Sequence, residues 1–289
     1  MPPSAFSIWS FCYAKGTLPR DFVEGAPVAS NQGLHETPMV YSVIASPPGA
    51  SREVLLVDTG FATGRSMTGR NFPDLETPPE VLAKVELEPK DVGTIVMTHL
   101  HFDHAGNIAA FPDANIIIQR YEYESWKRVL AKLGDQPRDK TNWILSSLSL
   151  DDISNFDRAI ADGRVTFVDG DYDVAPGVSL HLAKDSHTFG SQWVEVATPE
   201  GPYVVAGDAV ASYANLERMW PPGYHQGNCW SLLECYGEMM SLVGSENMNR
   251  IVPGHDMKLF DRSPSWVAGR NPVAEVYLAP GQKSARRSG

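Results

Sequence analysis

The chain has 289 residues, 43% hydrophobic and 20% charged, which is enough apolar material for a sizeable core and carries no sign of disorder. A formal net charge of −11 argues against a nucleic-acid partner, because polyanion binding depends on cations that displace condensed counterions. Three cysteines (Cys12, Cys229 and Cys235) with no C-x-x-C pair exclude a disulfide framework or a thiolate zinc cluster and suit free thiols in a reducing cytoplasm.

No run of about 18 apolar residues occurs, so no membrane partner is expected. The opening Met-Pro-Pro-Ser-Ala lacks a basic stretch followed by an apolar one, and a cytoplasmic location is expected. The sequence has no repeat of fixed period and no low-complexity linker, which predicts one domain over 1–289 with its core at about 39–260. The basic end around 280–289, with Lys283, Arg286 and Arg287, reads as a frayed terminus.

In chain order, Met39 to Ala45 and Glu53 to Val57 read as strands separated by a Pro/Gly turn, the second running into Asp58-Thr59-Gly60. Pro78 to Val85 fits a helix with proline at its start. Thr94 to Thr98 is a continuous apolar strand of the kind covered on both faces. Asn115 to Gln119 is a strand, and Tyr121 to Leu133 and Asp151 to Ile160 are helices. Strands follow at Arg164 to Val168, Val178 to Ala183, Gln192 to Ala197 and Tyr203 to Ala206. Trp230 to Val243 is a helix, with Cys235 and Met239 on its core face, and Arg250 to Val252 a last short strand. Strands joined by hairpin-length connections and interleaved with helices predict an α+β fold, two mixed sheets with helices outside, layered as an αββα sandwich.

Metal-ligand residues recur where these strands end: His99-Leu100-His101-Phe102-Asp103-His104, then His187, Asp208 and His255. Strand ends on one sheet edge converge in space. In an extended segment alternate residues share a side, so His99, His101 and Asp103 point together, and a turn at Asp103 lets His104 join them. Three imidazoles and a carboxylate within six residues make a poor core unless a cation offsets their desolvation. Imidazole with carboxylate is a zinc donor set, with iron or manganese also compatible. His181, in an alternating strand, and His35, before the first strand, read as ordinary strand and loop residues.

Thr98-His99-Leu100-His101-Phe102-Asp103-His104-Ala105-Gly106, with Asp58-Thr59-Gly60, His187-Thr188-Phe189-Gly190-Ser191-Gln192, Gly207-Asp208 and Pro253-Gly254-His255, resembles the signature of the metallo-β-lactamase superfamily over about residues 39 to 260. Within it the chain is most similar to the N-acyl homoserine lactonase-like family, through His-Thr-x-Gly-Ser-Gln, the Tyr-containing Ala209 to Glu217 stretch and Pro-Gly-His-Asp. That resemblance implies two divalent ions, one held by His99, His101 and His187 and the other by Asp103, His104 and His255, with Asp208 shared and Asp58 supporting the ligand loop from behind. It also implies ring opening of a small-molecule lactone by a hydroxide shared between the ions, Asp103 passing a proton to the leaving alkoxide, a quorum-quenching role, and a monomer or homodimer.

The family tyrosine three residues after the shared aspartate is Ala211 here: either Tyr213 assists the carbonyl in its place through a different loop shape, or the substrate is not a homoserine lactone. The Pro/Gly-rich loop holding Trp220, Tyr224 and His225 is expected to line the substrate pocket, with Phe11 and Trp193 completing its wall. A glyoxalase II-like thioesterase and a non-catalytic metal-dependent sensor share the same ligand set and are the alternatives.

Overall fold

The computed structural model describes residues 6–25, 33–49, 52–62, 72–134, 136 and 144–286. The chain begins with β1 (Ser7–Pro19), α1 (Arg20–Glu24), β2 (Leu34–Ala45) and β3 (Val54–Val57), then α2 (Pro78–Leu82), β4 (Thr94–Val96), α3 (Phe102–Ala105), β5 (Asn115–Gln119), α4 (Arg120–Leu133) and α5 (Leu150–Ala161). It continues through β6 (Val165–Val168), β7 (Tyr172–Ala175), β8 (Val178–Lys184), β9 (Gly190–Thr198), β10 (Gly201–Gly207), α6 (Tyr213–Arg218), α7 (Cys229–Val243), β11 (Ile251–Pro253), α8 (Lys258–Arg262), β12 (Ser265–Ala268) and β13 (Asn271–Tyr277).

These strands form two mixed sheets, one of eight in the order β12-β13-β1-β2-β3-β4-β5-β6 and one of five in the order β11-β10-β9-β8-β7. Strands β3 to β6 pair in parallel, as do β10 and β11, and the remaining pairs are antiparallel. Period-two alternation divides the side chains between layers. On β2, Val40 and Ile44 face the second sheet and meet Val194, Val196 and Val205, whereas Met39, Tyr41 and Val43 face outward. The outer face of the first sheet is covered by Val81 of α2, Trp126 of α4 and Phe156 of α5. The outer face of the second is covered by Leu232, Tyr236, Met239 and Val243 of α7, spaced at helical intervals. The αββα layering is as expected, and Cys235 and Met239 are core residues.

Several details differ from the expectation. Strands β1, β12 and β13 lie outside 39–260 yet belong to the larger sheet, with β1 buried between β13 and β2. The helix expected over Pro78–Val85 ends at Leu82 and finishes as a 3₁₀ turn, Ala83–Val85. His35 sits in β2 opposite Leu18 instead of in a loop. The C-terminal segment is tied down as far as it is described: Ser284 donates to Glu275, and Ala285 packs on the core; residues 287–289 lie outside the described residues. Among the described residues no helix is long and apolar enough to cross a membrane.

Candidate metal centre

The parallel stack β3-β4-β5 and the β8-β9 and β10-β11 pairs all end on one edge, and the metal-ligand residues are gathered there. Strand β4 runs into His99 and His101. His101 keeps an extended backbone (φ −66°, ψ 152°) and α3 starts after it, so Asp103 and His104 occupy a first helical turn. His187 lies in the β8-β9 turn, closed by Asp185 N–H donating to Phe189 C=O at 2.7 Å. Asp208 follows Gly207, whose backbone reverses at φ 52°, ψ −143°. His255 follows β11, its N–H donating to Ala211 C=O at 2.8 Å.

Two groups of donor atoms result, His99/His101/His187/Asp208 and Asp103/His104/His255, with the atoms of each group within 4.8 Å of one another and every residue buried. Asp208 faces both. Its Oδ2 lies 3.4 Å from His187 Nε2 and 3.0 Å from His255 Nε2, and its Oδ1 lies 3.3 Å from His104 Nε2. Asp103 Oδ2 is 3.5 Å from His255 Nε2. His99 Nε2, His104 Nε2 and Asp208 Oδ1 are buried without a hydrogen-bond partner. Leaving such atoms bare costs far more than pairing them, so their convergence fits a divalent cation bound by imidazole and carboxylate.

The second ring nitrogens of His99, His101, His104 and His255 are occupied, which fixes the orientation of those four, whereas His187 Nδ1 is buried without a partner. Asp58 accepts from Thr98 N–H at 2.7 Å and from Thr98 Oγ1–H at 2.7 Å, and its Oδ2 lies 2.7 Å from His104 Nδ1, turning Nε2 toward Asp208. Asp58 reaches this position through a left-handed backbone (φ 66°), a conformation sparsely used by non-glycine residues and concentrated at functional sites. His99 Nδ1 is held 3.0 Å from Thr98 Oγ1, His101 Nε2 lies 2.8 Å from Gln226 Oε1, and His255 Nδ1–H donates to Pro38 C=O at 3.0 Å. The histidine tautomers follow from these partners.

The electrostatics separate into two halves. Burial, with repulsion from neighbouring imidazoles, holds His99 well below the usual histidine range, and burial lowers His101 to about 4 and depresses His187. These three are neutral, the form that ligates metal. Burial works against a charged His104 and His255 too, but Asp208 and, for His104, Asp58 outweigh it and raise both. Burial alone pushes Asp208 up; His255 and His104 overcome it and hold the carboxylate well below its ordinary value.

Not every expected residue reaches the centre. Ser212 and Asn215 form a capping box that starts α6 at Tyr213 and directs this side chain into the layer between the sheets. There it lies under the Arg262 guanidinium (4.0 Å), its hydroxyl unpartnered and pushed by burial above the usual phenol range. Tyr213 is thus a core residue, and Tyr213→Phe is expected to leave kcat and metal content at wild-type values. A tenfold drop in kcat would return it to the reaction. Phe11 packs against Tyr41 in the outer core, and Trp193 stacks on His181 at 4.0 Å under the second sheet, so neither lines a pocket beside the metal centre. His181 is satisfied by Glu195 at 2.9 Å, as expected of a strand residue.

Of the pocket loop, Tyr224 comes against His101 (ring centroids 5.8 Å) and stacks on Phe22 of α1 at 4.8 Å. His225 lies close enough to His187 to bear on its charge, and its Nδ1–H donates to Pro222 C=O at 2.8 Å. Trp220 lies further along, under Arg218 at 5.1 Å. Four residues that sequence reasoning passed over also shape the site. Tyr13 Oη–H donates to Asp103 C=O at 2.6 Å, and Thr98 and Gln226 hold ligands as described. Glu122 of α4 is the fourth, a buried carboxylate that accepts from Leu100, Trp126, Thr188 and Gly190. Burial raises it, and those four donors oppose the shift.

The model of the metallo-β-lactamase superfamily matches residues 41–255, and this chain belongs to that superfamily. It is 31% identical over 181 residues to an N-acyl homoserine lactonase from a Bacillus species, a match that spans 58% of this chain and 63% of the relative, so just under two thirds of the relative's length is covered. Among solved structures it resembles a probable metal-dependent hydrolase from Staphylococcus aureus (TM-score 0.66, 18% identity, 89% of this chain and 91% of that one). It also resembles an N-acyl homoserine lactone hydrolase with the product N-hexanoyl-L-homoserine at its metal centre (TM-score 0.62, 24% identity, 88% and 94%).

Proposed function

We propose that this protein opens the ring of a lactone by hydrolysis, with two divalent ions held by His99/His101/His187 and Asp103/His104/His255 and shared by Asp208. The observation that carries the reading is one buried carboxylate, Asp208, facing histidines of both groups while Nε2 of His99 and of His104 stays unpartnered. Five imidazoles and two carboxylates with no thiolate among them suit zinc first, then iron or manganese. When bound, such ions polarise an ester carbonyl and acidify water to near neutral pH.

The chain's own groups do the rest. Tyr13 fixes the Asp103 backbone, leaving the Asp103 side chain at the more open side of the cluster, where its carboxylate is placed to take a proton from water and deliver it to the leaving alkoxide. Tyr224, against His101, forms the wall that an acyl or aromatic appendage would meet. The name of the Bacillus relative supports a homoserine lactone as substrate class.

The charges around His255 also bear on the choice between a lactone and a glutathione thioester. The space beside His255, about 240 Å³, is lined by Arg20, Arg218 and Lys258 but also by Glu24, Glu36, Asp256 and Asp261. Arg218 is paired with Glu24 at 3.2 Å, so the lining carries no cationic excess for an anionic conjugate. Lactone hydrolysis, followed as proton release at neutral pH, is expected to disappear on chelation and return with zinc. S-lactoylglutathione is expected to be worse by at least about tenfold in kcat/KM, equivalent to roughly 1.4 kcal/mol of transition-state binding. Faster turnover of the thioester than of every lactone would replace this reading with a thioesterase. Full metal binding with no hydrolysis of any lactone or of the thioester would make the protein a sensor.

A further inference from the structure

Glu122 is fully buried, yet among the described residues the groups that bond it include no cation. A carboxylate in such a place is expensive, and an apolar side chain would fill the space at lower cost. Its two oxygens are divided between separate loops. Oε1 accepts from Leu100 N–H (3.1 Å), the residue between His99 and His101, and from Trp126 Nε1–H (2.8 Å), whose ring meets His101 edge-on at 6.0 Å. Oε2 accepts from Thr188 Oγ1–H (2.8 Å) and Gly190 N–H (2.7 Å), which flank the turn carrying His187. The fit has no slack, because a Cβ on Gly190 would lie 2.5 Å from Glu122 N. One loop leaves the larger sheet after β4 and the other joins β8 to β9 in the smaller sheet.

We infer that Glu122 is a positioning residue for the His99/His101/His187 group, its carboxylate locking two ligand loops from different sheets at a fixed separation. The inference rests on reading these histidines as metal ligands. Since a carboxylate only accepts, it satisfies donors from both loops at once; an amide would turn an N–H toward one pair of them. Removing an outer partner of this kind typically lowers metal affinity about 10–100-fold.

The test compares metal-free wild type, Glu122→Gln and His255→Ala, the last as the reference lacking part of the other group. Zinc affinity is measured by competition with a chromophoric chelator, the visible spectrum of the cobalt(II) forms is recorded, and folding without metal is followed by circular dichroism. Glu122→Gln is expected to weaken one of two sites about 10–100-fold. The cobalt band that persists in His255→Ala should shift, while the other site and the metal-free fold are retained. Wild-type affinity at both sites, or equal weakening of both, overturns the inference. If Glu122→Gln does not fold, Thr188→Val removes one donor and leaves the carboxylate. It should weaken the same site selectively, and unchanged affinity there also overturns the inference. Wild-type protein that binds no metal overturns the proposed function and this inference together, and is recognised without any variant.

Discussion

Under the proposed function, Asp208→Asn is expected to lower lactone hydrolysis at least about 10³-fold, about 4 kcal/mol of transition-state stabilisation, and to bind fewer ions than the wild type. The shape of the side chain is kept, so the effect is chemical. Both oxygens of Asp208 face imidazoles, Oδ1 that of His104 and Oδ2 those of His187 and His255. An amide offers one neutral acceptor and aims an N–H at the second group. Replacing the carboxylate also removes the charge that raises His104 and His255, so both imidazoles become easier to keep neutral but lose the anion that orders them. Metal content by elemental analysis and kcat on the best lactone decide the matter. A variant with two ions and wild-type turnover would falsify the shared-carboxylate arrangement.

The second large effect comes from a residue with no side chain. A Cβ on Gly254 would stand 2.1 Å from Asp208 Oδ1 and 3.2 Å from Gly207 C=O. Neither can yield cheaply, because Asp208 is buried among three imidazoles and bonded to His255, and Gly207 is held by its reversed backbone. Gly254→Ala is therefore expected to cost about 1–3 kcal/mol of stability through overpacking. Activity should fall by about 10²-fold, the loss that follows a misplacement of roughly 1 Å in a reacting group. Gly237 in α7 provides the control, since nothing lies within 4 Å of its missing Cβ. Gly237→Ala should raise stability by about 0.5–1 kcal/mol with no kinetic change. If Gly254→Ala unfolds at the wild-type temperature and turns over normally, the packing between Gly254 and Asp208 has no part in the site.

How far the sequence disclosed this site depends on the kind of signal each residue leaves. The seven ligand-type residues were legible because they sit directly after apolar strands, where neither a core nor a surface role accounts for clustered histidines. Asp58 was legible from its place at the end of β3. Tyr213 stands near the family tyrosine position in sequence but not in space, because the Ser212–Asn215 capping box turns the backbone and sends the ring inward. Strand β1 was missed because Ser7 to Cys12 is buried on both faces and shows no alternation, and β13 because Pro272 and Glu275 suggest a loop, although Glu275 is buried. Glu122 left no trace, as a glutamate in a helix rich in charged residues reads as solvent-facing until the fold packs β9 against it.

The place of β1 in the larger sheet bears on how the molecule is made. Ile8 lies opposite Tyr277, so the β1 segment waits for a partner made 269 residues later. At synthesis rates of about 5–20 residues per second, that interval is roughly 15–55 s. During it β1 can pair with β2 while the backbone N–H and C=O groups of its other edge stay open to any chain nearby, the situation that invites strand-to-strand association. Long-range pairing of this sort folds slowly. Yield during overproduction is thus governed by how well that open edge is shielded until β13 arrives.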